Sequence, residues 1–288
     1  MNPPKISRLT EFLLMIVLGA IWGGSFLFMR MASKEFGPIA LIQFRVIVAS
    51  LFLSCVVIAQ GRGRELFRFP LRMSIVGLSG SAIPFTLFAF GTLTLSAGLA
   101  SVLNATSPFF GALIAVFYFR EPLTRAKWLG LMVAFSGVYL LVSDKLQISG
   151  GTLAIAACLF AAFCYGVSAH YSKRKLGDMS PIAVAAGSQI ASSVWMLPIS
   201  LWYLPSEVPS LQSWMAAITL GVVCTGVALV IYFYLIQAVD ATRAMTIAYL
   251  IPLFGILWGA IFLGETLTYM AFLGGCFVLL GLYLFNKR

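Results

Sequence analysis

The same phrase is written twice in this chain, 144 residues apart. Pro108-Phe109-Phe110-Gly111 through Arg120-Glu121-Pro122-Leu123-Thr124 returns as Pro252-Leu253-Phe254-Gly255 through Gly264-Glu265-Thr266-Leu267-Thr268. In the same register Gly130, Gly137 and Tyr139 return as Gly274, Gly281 and Tyr283. Over Pro108–Leu140 the copies agree at 12 of 33 positions, where composition alone gives roughly two or three. Helix starts repeat too. Pro38-Ile39-Ala40 matches Pro181-Ile182-Ala183 at an offset of 143, and Ala20-Ile21-Trp22-Gly23 faces Phe163-Cys164-Tyr165-Gly166. A chain duplicated in this way folds as two copies of one plan, and how the copies sit depends on how often each crosses its surroundings.

Those surroundings are lipid. Hydrophobic residues make up 61% of the chain and charged ones 10%, against roughly 25% charged in an ordinary soluble domain. Apolar runs near 12–32, 38–60, 72–92, 97–119, 126–143, 150–172, 181–204, 212–238, 243–263 and 268–286 give ten expected spans. Each is about long enough to cross a ~30 Å hydrocarbon core at 1.5 Å per residue. The faintest boundary lies between the third and fourth, where Thr92–Gly98 is polar only through small residues. The expected fold is therefore all-α and integral to the membrane. Five spans per half send the second copy in from the opposite side, so the expected domains are two inverted five-helix repeats, 1–145 and 146–288, joined by the short linker Ser143–Gly151.

The basic residues orient this plan. With the N-terminus inside, fifteen Lys and Arg fall in inner loops (Lys5, Arg8, the Arg62–Arg72 group, Arg120, Arg125, Lys127, Lys173–Lys175, Arg243, Lys287 and Arg288) and only Arg30, Lys34 and Lys145 outside. That is the positive-inside bias, and it places both termini in the cytoplasm of a multi-pass protein of the cell inner (plasma) membrane. The net charge of +10 is thereby spent on loops that face anionic lipid headgroups, and no nucleic-acid partner is expected.

Cys55, Cys158, Cys164, Cys224 and Cys276 all fall inside expected spans and read as small packing residues, not a disulfide frame or a metal site. His170 is the single histidine, and neither an HExxH pattern nor a nucleophile with a plausible base is present. An enzyme is disfavoured and no cofactor or metal is expected. Scattered small polar residues, in place of a charged ring, disfavour a channel.

Trp22-Gly23, the Pro-to-Glu stretch ending Gly264-Glu265-Thr266-Leu267, and the Gly130 and Gly274 helices together resemble the EamA domain of the drug/metabolite transporter superfamily, once per half. The plan is most similar to the ten-helix, YddG-type amino-acid exporters. The resemblance implies a secondary transporter that exports small metabolites by alternating access, with a central cavity lined by helices 1–4 and 6–9 and with helices 5 and 10 peripheral. Amino acids, aromatic or otherwise neutral, are the first expected substrates, and aromatic or quaternary-amine drugs are the alternative. The partners expected are a small-molecule substrate and membrane lipids, with a monomer preferred. The first copy departs from the family pattern by placing Arg120-Glu121-Pro122 where the second has Gly264-Glu265-Thr266.

All nine carboxylates map to termini, loops or helix ends, so a buried carboxylate relay or a substrate cation neutralised by a buried acid is not expected. Arg45 is the one firm charge within a span. It either snorkels to the interface, pairs with Glu265 to close an outer gate, or binds a substrate carboxylate; its repeat counterpart is Ser188. Glu121 is expected to act at the inner end with Arg125, Lys127 or Arg64. Pro108 and Pro252 are the paired candidates for bending coupled to gating, Pro108 freeing the carbonyl of Asn104. Trp22, Phe26, Tyr165, Asn104, Tyr249 and Trp258 complete the candidate cavity wall, and Gly19-xxx-Gly23 and Gly255-xxx-Gly259 are expected to allow close helix contact.

Overall fold

The computed structural model describes residues 7–143, 150–238, 247–266 and 268–286. Most of the expected linker between the halves therefore lies outside the described residues, as do Lys5, Asp144, Lys145, Asp240, Arg243, Leu267, Lys287 and Arg288. Among the described residues all regular structure is helical. The first half contributes α1 (Arg8–Phe36), α2 (Pro38–Ala59), α3 (Pro70–Thr94), α4 (Ala97–Phe117) and α5 (Arg125–Val142). The second contributes α6 (Gly151–Lys175), α7 (Pro181–Trp202), α8 (Leu211–Leu235), α9 (Ile247–Leu263) and α10 (Tyr269–Asn286). Eight of these, all except α5 and α9, are long and apolar enough to cross a membrane, and α9 is a shorter apolar helix. The faint boundary resolves at Leu95, which turns extended, with Ser96 capping the new helix by accepting from the Leu99 N–H. Arg30 lies not in an outer loop but inside α1, which runs on to Phe36.

The repeated phrase encodes a corner. Arg120 and Gly264 occupy the same repeat position and both take positive φ, 56° and 62°. That left-handed residue turns the chain so that the following glutamate N–H reaches back into the helix just ended, Glu121 to the Ala115 carbonyl at 3.0 Å and Glu265 to the Gly259 carbonyl at 3.1 Å. Three residues later Thr124 and Thr268 start the next helix, accepting from the N–H groups of Lys127 and Ala271. Gly264 adopts this turn freely, whereas Arg120 carries a Cβ through it at a cost of about 1 kcal/mol. The backbone of the two corners is thus the same despite the different residues.

The corner delivers α5 and α10 against each other, and their glycines set the separation. A Cβ on Gly130 would fall 2.6 Å from the Gly281 carbonyl, and one on Gly281 would fall 2.6 Å from the Gly130 carbonyl. Gly137 and Gly274 meet in the same way, at 2.7 and 2.6 Å. Because Gly130 and Gly274 are repeat counterparts, as are Gly137 and Gly281, each contact is the other's symmetry mate. A pair of contacts exchanged by the repeat in this way defines a two-fold contact, and early residues meeting late ones makes the helices antiparallel. The same exchange recurs elsewhere. Gly23 of α1 abuts Gly255 of α9, while their counterparts Gly166 of α6 and Gly111 of α4 abut each other. Gly77 of α3 presses on the Ser188 carbonyl, as its counterpart Gly221 of α8 does on the Arg45 carbonyl.

Adjacent glycines in α10 test this reading. A Cβ on Gly274 would lie 2.5 Å from the Leu141 backbone nitrogen, but one on Gly275 meets nothing within 4 Å. Both Gly→Ala changes gain about 1 kcal/mol of helix propensity, so Gly275→Ala is expected to be neutral or stabilising. Gly274→Ala instead forces the helices apart and loses about 1–3 kcal/mol. Thermal unfolding in detergent should give Tm shifts of opposite sign for the two variants.

Candidate functional site

Two interruptions in the helices shape the interior. α3 contains a π-turn at Leu78–Ala82 and α8 one at Val222–Val227, and the repeat offset of 144 carries Leu78 onto Val222. A π-turn shifts the hydrogen-bond ladder by one residue, to i→i+5. In α8 the Thr225 hydroxyl donates to the Leu220 carbonyl at 2.9 Å and accepts from Arg45 Nε at 2.9 Å. In α3 the counterpart Ser81 accepts from Gln189 Nε2 at 2.9 Å. Gln189 stands one residue past the strict counterpart of Arg45, so the same link is built twice, charged in one half and neutral in the other.

Beside the Arg45–Thr225 link lies a cavity of about 720 Å³, within the range of small-molecule sites. Its walls are aromatic and again paired by the two-fold. Trp22 meets Tyr232 at 5.2 Å between ring centroids, and their counterparts Tyr165 and Phe88 stack at 6.1 Å. Phe26 packs edge-on against Phe88 at 5.4 Å. Arg45 enters this box with its guanidinium 3.7 Å above the Phe85 ring and Nη1 3.8 Å from the Met29 sulfur. It is only 3% exposed and faces the cavity, so it does not snorkel to the interface. Among the described residues no carboxylate pairs with it.

One end of the cavity is closed. There Arg30 donates to the Thr92 and Leu95 carbonyls at 2.9 and 2.7 Å, finishing α3, and its Nε meets Glu265 at 2.8 Å. Glu265 in turn accepts from the Ala97 and Gly98 N–H groups at 2.9 and 3.4 Å, starting α4. A cation at a helix C-terminus and an anion at a helix N-terminus are each favoured by the helix dipole. The expected Arg45–Glu265 pair therefore does not form, because Arg30 is nearer the corner and also satisfies the orphan carbonyls. Phe36, Phe44 and Trp214 cluster at the same end, with centroids 4.8–6.4 Å apart, and Glu35 binds the Ser210 N–H and hydroxyl at 2.6 and 3.0 Å.

The other end is open, with Glu121, Lys127 and Asn286 lining the mouth. Glu121 meets Arg174 of α6 at 3.1 Å, not Arg125, Lys127 or Arg64, and this pair is about half exposed. Arg174 also lies 3.5 Å over the Phe119 ring. Beside it His170 Nε2 contacts the Gly111 carbonyl at 2.9 Å.

Of the candidates read from sequence, Trp22, Phe26, Arg45, Asn104, Pro108, Glu121 and Tyr165 line the cavity. Trp258 instead donates its indole N–H to the Ala20 carbonyl at 3.0 Å, holding α9 against α1, and the Tyr249 hydroxyl accepts from Asn286 Nδ2 at 3.0 Å in the cluster around Phe109. Pro252 is buried within α9, away from the cavity lining. The carbonyl of Asn104 that Pro108 releases is taken by the Ser107 hydroxyl at 2.6 Å, at the point where α4 breaks over Ala105–Thr106. The implied lining by helices 1–4 and 6–9 needs correction. No residue of α7 borders the cavity, whereas Lys127 of α5 and Leu282, Phe285 and Asn286 of α10 do. Phe85, Phe88, Thr225 and Tyr232 were missed, although Phe88 and Tyr232 sit 144 residues apart and were legible as a pair.

A cavity of this kind, between two helical halves related by a two-fold and embedded in lipid, defines a multi-pass membrane transporter. The chain belongs to the EamA-like transporter family, whose model matches it twice, at residues 9–143 and 152–287. Among its relatives is a probable terminal-alkyne amino-acid exporter of Streptantibioticus cattleyicolor, 26% identical over 99% of this chain and 95% of that one. An uncharacterized transporter of Archaeoglobus fulgidus is 24% identical over 96% of this chain and 99% of that one. The uncharacterized inner membrane transporter YedA of Escherichia coli K12 is 24% identical over 95% and 92%. A crystal structure sharing 17% identity superposes with a TM-score of 0.67 over 97% of this chain and 98% of that one, a likeness of fold. The chain is accordingly a transporter of the inner (plasma) membrane.

The two ion pairs differ in what their loss removes. Glu265→Gln keeps the shape of the side chain but removes the charge from bonds to Arg30, Ala97 and Gly98, and is expected to cost about 1.5–3 kcal/mol. Glu121→Gln is expected to cost less than about 1 kcal/mol, as exposed pairs do. Chemical or thermal unfolding of the purified variants orders the two, and equal losses would contradict the geometry.

Proposed function

We propose that this protein exports small metabolites, with neutral and especially aromatic amino acids as its first substrates, by alternating access through the central cavity. In this reading all ten helices cross the membrane as two inverted five-helix repeats, 1–145 and 146–288, with both termini in the cytoplasm, and the protein catalyses no chemical step. The observation that carries it is Arg45, a buried cation without a carboxylate partner among the described residues, set in a box of aromatic rings. The open mouth then faces the cytoplasm, and the Arg30–Glu265 end faces outward. The relative named as a probable amino-acid exporter supports the same substrate class.

The rival reading, efflux of aromatic or quaternary amines, meets Arg45 directly. A second cation 4 Å away is opposed by about 4 kcal/mol at an effective dielectric of 20, more than an aromatic face returns. The absence of a carboxylate deep in the described cavity favours carriage that does not depend on a proton relay.

Purified protein in liposomes should exchange labelled phenylalanine in counterflow, at a rate that changes less than about twofold when a pH gradient is imposed. Exchange that requires the gradient would transfer the coupling role to Glu121, Glu265 or His170. Exchange of aromatic amines without exchange of phenylalanine would replace the substrate assignment.

A further inference from the structure

The two-fold pairs the aromatic contacts of the cavity but not its charge. Its paired aromatic contacts, Trp22–Tyr232 and Tyr165–Phe88, are symmetry mates, and so are the polar links Arg45–Thr225 and Gln189–Ser81. Only the first of these links carries a charge, and only it borders the cavity. A solute between such walls is given one charged end to bind and no second one.

We propose that this site recognises a carboxylate and not an ammonium, so that it binds and carries aromatic monocarboxylates lacking an amino group at least as well as the corresponding amino acids. This rests on the reading of the chain as a carrier and names what its cavity selects. Arg45 has five N–H donors, of which Nε is bonded to the Thr225 hydroxyl and one on Nη1 meets a thioether sulfur. The others have no hydrogen-bond partner among the described residues, and a buried guanidinium with a free edge matches a carboxylate in a bidentate pair. The Phe85 ring lies 3.7 Å beneath it.

An amino acid brings an ammonium as well, and the cavity provides no counterpart for it. Glu121, the carboxylate that lines the cavity, stands at the mouth and is already paired with Arg174. The ammonium of a bound amino acid therefore lies close to Arg45 without an acid to offset it, and only aromatic faces are left to receive it. Removing the amino group removes that penalty and keeps the ring and the carboxylate. A dianion fits less well. Lys127, the other cation bordering the cavity, lies at the mouth near the Phe285 ring, so a second negative charge at Arg45 stays uncompensated. Thr225 is a positioning residue here: its own proton goes to the Leu220 carbonyl, which leaves its lone pairs to hold Arg45 Nε.

The test is a ligand series on the full-length purified protein, read by thermal shift and, separately, by competition with phenylalanine counterflow in liposomes. Phenylalanine, 3-phenylpropionate, phenylalaninamide and phenethylamine share one ring and differ only in their charged ends. Phenylalanine and 3-phenylpropionate are expected to raise Tm and to compete, the second with an apparent affinity equal to or higher than the first, and the two amines to do neither. Thr225→Val is expected to weaken both acids about tenfold and Thr225→Ser to restore them, a rescue that a purely structural role would not show in a protein whose unliganded Tm is unchanged. Stabilisation by the amines as strong as that by the acids overturns the proposal. So does unchanged acid affinity in a folded Arg45→Gln variant. If phenylalanine exchanges but 3-phenylpropionate neither binds nor competes, the selectivity fails and the carrier reading stands. If the acids alone bind but nothing exchanges, the selectivity stands and the carrier reading fails.

Discussion

Backbone approaching backbone at paired glycines is the constraint on which the rest of this structure depends. In lipid the helices gain nothing from the hydrophobic effect by meeting each other, so they associate through close packing and hydrogen bonds. Gly130 against Gly281 and Gly137 against Gly274 bring α5 and α10 so near that a single methyl group on any of the four would strike the opposing backbone. Because those residues are counterparts in a duplicated sequence, the contact places the two halves about a two-fold axis. Gly23 with Gly255 and Gly111 with Gly166 extend the same axis. The aromatic pairs of the cavity and the two polar links, of which Arg45–Thr225 borders it, then take up equivalent positions without needing a separate explanation.

The membrane also dictates where the polar groups go. A backbone donor or acceptor left bare in hydrocarbon costs several kcal/mol, so each interruption of a helix must be satisfied locally. The α3–α4 turn is the clearest instance, its carbonyls given to Arg30 and its amides to Glu265, with the two side chains joined to each other. At the break in α4 the hydroxyls of Thr106 and Ser107 take the carbonyls of Leu103 and Asn104. The π-turns place Thr225 and Ser81 where α2 and α7 can reach them. Polar residues that look scattered along the sequence thus gather at the interruptions.

The duplication made much of this legible. Thr124 and Thr268 as helix caps, the turn at Arg120 and Gly264, and the close glycines all fall on positions that repeat, and a repeated residue in a diverged copy marks a geometric need. Partners across the fold were harder to read. Helical periodicity assigns Arg45 to a face of α2 but does not say that α8 presents Thr225 there, since a π-turn changes one hydrogen bond and leaves no mark in composition. Glu265 was matched to the wrong arginine because Arg30 was counted with the outer loop residues, whereas α1 runs on to Phe36 and Arg30 turns from it to the α3–α4 corner. Trp258 resembled a wall residue by its depth, yet its indole N–H needs a buried acceptor and finds it on α1. Absence of α7 from the cavity follows from its packing against α2 and α3, a tertiary fact that five equivalent spans per half conceal.

Where the two halves differ is as informative as where they agree. α4 is broken at Ala105–Thr106, while the counterpart stretch of α9 runs as helix through Tyr249 and Leu250. The Arg30–Glu265 pair is mostly enclosed and bound to two helix ends, whereas Arg174–Glu121 is half in solvent. In the inverted repeat proposed above, each half would take the conformation now held by the other, and exchanging them would yield the same cavity open at the opposite end. Both states must lie within a few kcal/mol for a solute to shift between them. Arg45 weighs on that balance, because enclosing an unpaired guanidinium away from water is costly and enclosing a neutralised one is far less so. In the proposed cycle, a carboxylate held at Arg45 makes passage through a closed state cheaper for the loaded cavity than for the empty one, so the charge proposed to select the solute would also tie the motion of the halves to its presence.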